Sequence, residues 1–285
     1  MNTSSERSKA NVLGLGIDAV NMGQALVRIE ADLRSRRKGY ICLAGVHGVM
    51  ECKRDPILAG IFANAALIAP DGMPTVWVGH HQGHPHMERV AGPDLMLEVI
   101  RRPEFRGYSH FLCGGKEGVA EELRDQLIAR YPDIQIAGTY TPPFGPMSPA
   151  QEKEFLTAIN RVHPDIVWVG ISTPKQERFM DHYLPLLDTT LMFAVGAAFD
   201  FHTGRITDCS DWIKRSGLQW LHRLLQDPKH LWRRYLRNIP PFLFYMSLQL
   251  LGVRSYRLQP SIESHAKMPV GPVPKSISLA GPVVE

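Results

Sequence analysis

Two carboxylates follow apolar runs at positions where a side chain would stand at the end of a buried strand. Asp71 lies between a proline and a glycine in "AALIAPDGMP", and Asp200 lies in "VGAAFDFHTG". A carboxylate that is held on a short turn and partly desolvated is suited to accept a proton. Asp200 is suited to accept a hydrogen bond from a base or a sugar. The alternative for Asp71 is structural, because aspartate also caps helices and a helix is predicted from about Met73.

Three further segments carry groups that suit a phosphorylated ligand. "FLCGGKEGVAEEL" places Gly114, Gly115 and Lys116 between an apolar strand and a helix, where a backbone can approach a pyrophosphate closely. A plain tight turn explains the same residues equally well. "GISTPKQERFM" repeats the arrangement and directs Gln176 towards the same cleft. The proline-rich loop "YTPPFGPMSPAQ" carries Phe144, which suits either a cover over a base or a structural connection.

Two other motifs point to chemistry that we do not favour. "GLGIDA" (14–19) fits a dinucleotide fingerprint, but the next strand does not end on the acidic residue that would hold a ribose. "GHHQGHPH" (79–86) is a candidate metal site, although histidine-rich loops are more often solvated, and its histidines are His80, His81, His84 and His86. The sequence contains no Asp-x-Asp pair, so the phosphates of a sugar nucleotide would have to be neutralised by arginine, lysine or backbone N–H groups.

Apolar, β-branched runs that alternate with segments of helical period must position these groups. The runs occupy 11–17, 40–45, 66–70, 110–115, 134–138, 165–170 and 190–196. The helix candidates lie near 21–37, 47–65, 92–101, 116–130, 148–162, 175–183 and 209–226. This alternation predicts an α/β fold, a Rossmann-like parallel sheet covered by helices on both faces. Ligands bind such sheets at the carboxyl edge, where the candidate residues fall.

The composition is that of a globular protein without a strong overall charge. The chain has 285 residues, 44% of them apolar, and a net charge of +4, which does not indicate a nucleic-acid partner. Its four cysteines show no metal or disulfide spacing, so we expect reduced thiols and a cytoplasmic location. The polar start predicts no signal peptide.

The positive charge is concentrated near the end of the chain. Residues 228–262 contain six basic residues and no acidic one. A helical projection predicts an interfacial helix with two sides. Its apolar side carries Trp232, Tyr235, Leu236 and Ile239, and its basic side carries Arg233, Arg234 and Arg237. The apolar stretch 240–252 is too short to span a bilayer. An anionic membrane surface is therefore the expected partner, and packing on the core or a homo-oligomer interface are the alternatives.

These segments divide the chain into four parts. We expect a flexible N-terminus over residues 1–10, an α/β catalytic domain over 11–205 and a basic, amphipathic, membrane-associating helical appendage over 206–257. The Pro-, Ser- and Gly-rich tail over 258–285 is predicted to be disordered.

The order of these motifs resembles one family. The series "PDGMP", "ERVAGPDLM", "FLCGGKEGVA", "YTPPFGP", "VGISTPKQE", "VGAAFDFHTG" and "GLQWLHRLLQDPKHLWRRYL" is similar to the WecG/TagA/CpsF glycosyltransferases, glycosyltransferase family 26, over roughly residues 10–250. The resemblance implies an inverting, metal-independent transferase without a cofactor. It would move a sugar, of the N-acetylmannosamine type or a related hexose, from a UDP-sugar to a polyprenyl-diphosphate-linked saccharide. Such enzymes act in surface polysaccharide synthesis at the inner face of the cell membrane.

The resemblance also implies roles for individual residues. Asp71 would be the general base that deprotonates the acceptor hydroxyl, and Gln176 would help to position the reacting sugars. Asp200 would lie at the uridine site, and Arg89 and Asp94 would line the cleft. If the appendage docks on a membrane and closes over the site, one or more of Arg233, Arg234 and Arg237 would reach the polyprenyl diphosphate or the departing UDP.

The sequence departs from the family pattern at two places. Relatives often carry a threonine and an asparagine after the second strand, where this chain has Ala44 in "CLAGVHGVM", with His47 nearby as a substitute. An Arg-Ala-Pro triplet common after the glycine that matches Gly204 is replaced by "RITDCSDWIKR". The identity of the donor sugar therefore stays open. A catalytically inactive nucleotide-sugar-binding regulatory protein on the same fold is the alternative function.

Overall fold

The computed structural model describes residues 8–259, and the predictions for residues 1–7 and 260–285 lie outside this range. The strands are β1 (Lys9–Val12), β2 (Leu15–Asp18), β3 (Gly39–Ala44), β4 (Leu67–Pro70), β5 (Ser109–Gly114), β6 (Gln135–Tyr140), β7 (Ile166–Gly170) and β8 (Leu191–Ala194). The α-helices are α1 (Met22–Arg34), α2 (Val46–Arg54), α3 (Pro56–Ala63), α4 (Met73–His81), α5 (Gly92–Arg101), α6 (Val119–Arg130), α7 (Pro149–Val162), α8 (Lys175–Tyr183), α9 (Ala198–His202), α10 (Asp211–Arg215), α11 (Gln219–Gln226) and α12 (Pro228–Leu250).

Six strands form one parallel sheet in the order β4-β3-β8-β7-β5-β6. The chain builds one edge with β3 and β4, crosses to build the other edge with β5 and β6, and fills the middle with β7 and β8. All six carboxyl ends therefore lie on the same side, and the loops that follow them form the rim of a crevice. The predicted α/β class with a Rossmann-like parallel sheet is confirmed.

Alternate residues of each strand enter two separate cores, one on each face of the sheet. On one face, Cys42, Val167 and Met192 pack with residues of α2, α3, α7 and α8. On the other, Leu43, Trp168 and Phe193 pack with residues of α1, α5 and α6. Because both faces are covered, the central strands are apolar along their whole length, as the sequence runs predicted.

The first apolar run does not join this sheet. It is a hairpin, with β1 and β2 antiparallel and a turn at Leu13 and Gly14, both at positive φ. The Asn11 side chain accepts a hydrogen bond from the Gly14 N–H (2.9 Å) and so stabilises the turn. Helix α1 begins only at Met22, so "GLGIDA" lacks the strand-to-helix junction that a dinucleotide needs, and the single strand predicted over 11–17 is wrong.

The helix predicted over 47–65 is two helices, α2 and α3. Pro56 has no N–H to continue the hydrogen-bond ladder, and it disfavours helical backbone at Asp55. The Asp55 side chain instead caps α3 by accepting from the N–H groups of Ile57 (3.0 Å) and Leu58 (3.2 Å). The break leaves α2 as a short helix whose first turn stands at the crevice.

Helix α12 packs along the α/β core. Phe242 and Met246 are buried in the same core as the hairpin. The Gln249 side chain accepts from the Leu13 N–H (3.0 Å) and donates to the Asn11 carbonyl (2.7 Å). Beyond the helix, the Gln259 N–H donates to the Gly14 carbonyl (3.0 Å). The alternative of packing on the core therefore holds for one face of α12.

Candidate functional site

Asp71 is the first residue after β4. Its N–H donates to the Ala44 carbonyl (3.1 Å), which joins the loop after β4 to the loop after β3. Helix α4 has Gly72 as its N-cap and no side-chain cap, so the capping role considered for Asp71 is excluded. Within residues 8–259, no hydrogen bond reaches its carboxylate. The side chain is thus placed at the carboxyl edge without a structural partner.

The surroundings of Asp71 favour a carboxylate that can hold a proton. Burial raises the pKa of Asp71 to about 6, and this effect outweighs the opposing influence of Arg89. Asp94 adds to the rise, and Arg223 opposes it. A carboxyl group with this pKa is ionised at neutral pH yet is a stronger base than an exposed aspartate.

Arg89 and Asp94 form an ion pair beside Asp71. Arg89 Nη1 lies 2.7 Å from Asp94 Oδ2, and Arg89 Nη2 donates to Gln219 Oε1 (3.1 Å). Asp94 belongs to the first turn of α5, and Gln219 begins α11. The pair therefore links the crevice to the C-terminal helices, a contact that the sequence did not indicate.

Gln176 lies at the carboxyl edge, but its carboxamide is held by the protein itself. The side chain is buried, its Oε1 accepts from the Gly196 N–H (3.0 Å), and its Nε2 donates to Thr173 Oγ1 (3.2 Å) and Glu177 Oε1 (3.0 Å). The amide thereby fixes the loop after β7 to the loop after β8. A positioning role for Gln176 remains a prediction, and this geometry favours action through the Gly196 loop.

Glu177 stabilises this connection by accepting hydrogen bonds from Thr173 and Gln176. It is fully buried, Thr173 Oγ1 donates to its Oε1 (2.8 Å), and its Oε2 has no partner among the described residues. Burial raises the pKa of Glu177, because removal from water penalises the charged form.

Replacing Glu177 by alanine is expected to lower the free energy of unfolding by about 1–3 kcal/mol or more, because the Thr173 hydroxyl loses its acceptor. Glu177→Gln keeps an acceptor oxygen and is expected to cost less. Because the folded-state pKa is raised, the contribution of Glu177 is greatest at low pH and falls as pH rises. The free energy of unfolding, measured with urea at pH 5 and pH 8, should therefore be higher for Glu177→Gln relative to the wild type at pH 8 than at pH 5. Equal costs for the two variants at both pH values would contradict this account.

The glycine-rich segment after β5 forms a tight turn. Gly114 and Gly115 both have positive φ, and the Gly115 N–H donates to the Gly170 carbonyl (3.0 Å). A side chain at 114 would come within 2.6 Å of the Gly170 backbone. The glycines therefore have a structural reason, and a role in binding phosphate remains a prediction. Lys116 is exposed beside them.

Phe144 and Asp200 are the remaining predicted residues of the donor site. The Phe144 ring is 94% exposed, and Lys175 Nζ stands 4.3 Å from its centroid. Asp200 lies on the short helix α9 and is partly buried. The structure thus presents Phe144 on an open loop rather than as part of a closed pocket.

Arg223 is a candidate site residue that sequence reasoning missed. It lies on α11, largely enclosed, and burial lowers its pKa, while Asp71 and Asp200 act in the opposite direction. Its guanidinium also stands 5.4 Å from the Phe201 ring centroid. One charged group thus interacts with both predicted carboxylates. Arg223 lies on the side of α11 opposite the exposed Leu221 and Leu225, whereas the apolar period of the sequence alone would place these leucines inward and Arg223 towards solvent.

Two of the three predicted arginines of α12 face the loop after β3. Arg234 and Arg237 both influence His47, and Arg234 also interacts with Arg223. Arg233 instead lies over the exposed ring of Trp232, at 5.4 Å. In the part of the chain that the structure describes, none of these three arginines forms an ion pair with an acidic residue.

The exposed side of α12 mixes apolar and basic side chains rather than separating them. We call it the exposed α12 face, and its members are Trp232, Arg233, Leu236, Arg237, Leu243 and Phe244. The sequence projection put these two classes on opposite sides. The reason for the difference is that Leu231, Asn238, Phe242 and Met246 form the packed side, which leaves both classes towards solvent. No helix within residues 8–259 has the length and apolar character needed to cross a bilayer.

The four histidines of 79–86 are dispersed. His80 and His86 bond to the Met87 and Ala19 carbonyls through Nε2 (2.8 and 2.9 Å), and His84 Nδ1 lies 3.1 Å from Ser8 Oγ. Among the described residues, no group of three or more His, Cys, Asp or Glu side chains is arranged to hold a metal ion. Three of these histidines have structural partners instead, and His81 is exposed.

The family departures around β3 also have a structural setting. Ala44 is buried and pairs with Pro70, so its side chain belongs to the core. A side chain at Gly45 would come within 2.8 Å of the Asp71 carbonyl oxygen. The residue nearest to the crevice that can supply a polar group here is therefore His47.

The parallel sheet and the polar crevice at its carboxyl edge define an α/β enzyme with a candidate base at the strand ends. Residues 10–256 match the model of the Glycosyl transferase WecG/TagA/CpsF family, and the chain belongs to this family. It is a glycosyltransferase, and the resemblance in the sequence is confirmed.

Two similar curated proteins share the name N-acetylglucosaminyldiphosphoundecaprenol N-acetyl-beta-D-mannosaminyltransferase. The protein from Bacillus spizizenii is 28% identical over 216 residues, which cover 75% of this chain and 81% of the relative. The protein from Staphylococcus aureus strain MW2 is 24% identical over 242 residues, covering 84% of this chain and 92% of the relative. These relatives are named for transfer to a diphosphoundecaprenol-linked sugar.

Proposed function

We propose that this glycosyltransferase moves a sugar of the N-acetylmannosamine type, or a related hexose, from a UDP-sugar to a polyprenyl-diphosphate-linked saccharide. The reaction inverts the anomeric centre and requires no metal ion. The observation that carries the proposal is Asp71, a carboxylate at the crevice that accepts no hydrogen bond from any described residue and has a pKa raised to about 6. The names of the relatives support the lipid-linked acceptor.

In the proposed reaction, the acceptor hydroxyl oxygen forms a bond to the anomeric carbon while the bond from that carbon to UDP breaks. The electron pair leaves with UDP, and the hydroxyl proton passes to Asp71. Attack on the face opposite to UDP inverts the centre. The donor would bind near the remaining crevice residues, Arg89, Asp94, Gly114, Gly115, Lys116, Phe144 and Asp200.

The C-terminal helices supply positive charge for the phosphates. Arg223 interacts electrostatically with both Asp71 and Asp200, and Arg234 and Arg237 carry charges that no described acidic residue neutralises. We propose that α12 contributes these guanidiniums to the acceptor diphosphate or to UDP. The enzyme would then work at the inner face of the cell membrane, with the exposed α12 face on anionic lipid.

The test is a panel of UDP-sugars offered to the full chain with a short-chain polyprenyl-diphosphate-N-acetylglucosamine, with UDP release and the product mass as readouts. We expect release from UDP-N-acetylmannosamine or a related donor, unchanged by EDTA. Binding of donor without turnover by any sugar would instead support the regulatory alternative. Activity lost with EDTA and restored by Mg²⁺ would overturn metal independence.

A further inference from the structure

His47 is a polar residue at the crevice to which the proposed reaction gives no task. It is the second residue of α2, directly beyond the carboxyl end of β3. The hydrogen bond from Asp71 N–H to Ala44 places this turn next to the loop that carries the candidate base. Its side chain is 28% exposed, so a ligand in the crevice has access to the imidazole.

Charged groups from two helices face His47. On α2, Glu51 Oε1 lies 3.7 Å from His47 Nε2, and Arg54 stands one turn further. On α12, the facing groups are Arg234 and Arg237. Three guanidiniums therefore surround the imidazole, against one carboxylate.

Within residues 8–259, an acidic side chain neutralises one of these three guanidiniums, that of Arg54. Arg54 Nη1 bonds to Glu51 (2.9 Å) and Asn238 (2.8 Å), and its Nη2 donates to the Arg237 carbonyl (2.8 Å). Arg234 Nε is buried and has no hydrogen-bond partner among the described residues. The junction of α2 and α12 is thus short of negative charge and contains an unused buried donor.

Burial and this charge imbalance together keep the imidazole neutral. Burial is the main cause, and with Arg234, Arg54 and Arg237 acting in the same direction it lowers the pKa of His47 to about 4. An anion at the junction would offset the guanidiniums and so remove part of the penalty on imidazolium. Glu51 is placed to pair with the imidazolium once it forms.

We propose that His47 takes up a proton from solvent when a diphosphate group binds at the junction of α2 and α12, so that binding there is coupled to protonation. The inference rests on the proposed function, which supplies the diphosphate ligand. No covalent bond changes in this step, since the proton passes from water to an imidazole nitrogen. The diphosphate is that of the lipid-linked acceptor or that of UDP, which share this chemistry.

Linkage fixes the sign of the effect. Because the ligand raises the proton affinity of His47, the binding constant of the ligand rises as pH falls. The rise begins at the pKa of His47 in the complex and ends near its pKa of about 4 in the free protein. Each tenfold gain in the proton affinity of His47 adds up to tenfold in ligand affinity at the low-pH limit. Above the bound-state pKa the contribution vanishes.

Isothermal titration calorimetry of the full chain at pH 6, in two buffers with different ionisation enthalpies, measures this proton uptake. One arm titrates short-chain polyprenyl-diphosphate-N-acetylglucosamine, and the other titrates UDP. His47→Gln retains a polar, neutral side chain that cannot be protonated, and the difference from wild type isolates the contribution of His47 from that of Asp71. His163→Gln, at the opposite edge of the sheet, is the matched control.

We expect His47→Gln to bind at least one ligand and to take up measurably fewer protons per bound ligand than the wild type. His163→Gln should behave as the wild type. The arm that shows the loss identifies the source of the diphosphate. Equal proton uptake by wild type and His47→Gln in both arms would overturn the inference and leave the proposed function intact. Failure of the wild type to bind either ligand would overturn both.

Discussion

Replacing Asp71 by asparagine is expected to lower turnover by about 10²–10⁴-fold, the usual contribution of a general base. The amide has nearly the same shape but cannot accept the acceptor proton. Because no described residue bonds to this carboxylate, the substitution breaks no hydrogen bond of the fold, and stability should change little. UDP release from the best donor of the panel is the measurement.

Asp211→Asn is the matched control, since the Asp211 side chain is 85% exposed on α10 and away from the sheet. It should retain full activity. Unchanged UDP release by Asp71→Asn would remove Asp71 from the mechanism and with it the observation that supports the proposed reaction.

The same carboxylate predicts a pH profile. The base acts in its ionised form, so kcat/KM should rise tenfold per pH unit below about pH 6 and level off above it. Burial is the main cause of this raised pKa, so exposing the crevice would move the profile to lower pH. In Asp71→Asn, the residual activity should not show this rise with pH below about pH 6. A wild-type rate that is flat between pH 4.5 and pH 7 would contradict the assignment.

The second large effect is expected on membrane binding. Leu236→Ser combined with Phe244→Ser removes two side chains of the exposed α12 face, which are 63% and 60% exposed. Each apolar side chain withdrawn from lipid costs about 1.5 kcal/mol or more, so the double variant should partition to anionic liposomes about 100-fold less. Sedimentation with liposomes is the measurement, and neutral liposomes should bind weakly in either case.

Val27→Ser is the control, because Val27 is 66% exposed on α1, away from this face. Truncation after residue 227 is a poorer test, because it would remove Phe242 and Met246 from the core and so damage the fold. Unchanged sedimentation of the double variant would leave the exposed α12 face without a lipid partner. A change in oligomeric state in size-exclusion chromatography would then identify it as a homo-oligomer interface.

The parallel sheet could be predicted because the local pattern and the tertiary environment agree. The strands β3, β7 and β8 are buried on both faces, so their residues are continuously apolar and easily recognised. The hairpin could not be distinguished from a single strand, since the run 11–17 is mainly apolar and the turn shows only in the positive φ angles of Leu13 and Gly14.

The candidate site was predictable where a residue directly follows a strand, as Asp71 does. It was not predictable where a helix returns from a distant part of the chain. The proximity of Arg223 to Asp71 depends on how α11 packs, and no local pattern encodes that distance. Gln176 shows another limit, because its position was foreseen but its bond to the Gly196 backbone depends on tertiary structure.

The hydrogen bonds between the Gln249 side chain and the hairpin have a consequence for the order in which the protein folds during synthesis. Asn11 and Leu13 obtain these backbone partners from a residue more than 230 positions later. Contacts at such separation form late, because a long loop of chain must close first. A nascent polypeptide that does not yet include α12 therefore lacks the hydrogen-bond partners of its first strands and the guanidiniums of that helix. The site is complete only after translation has passed the end of α12.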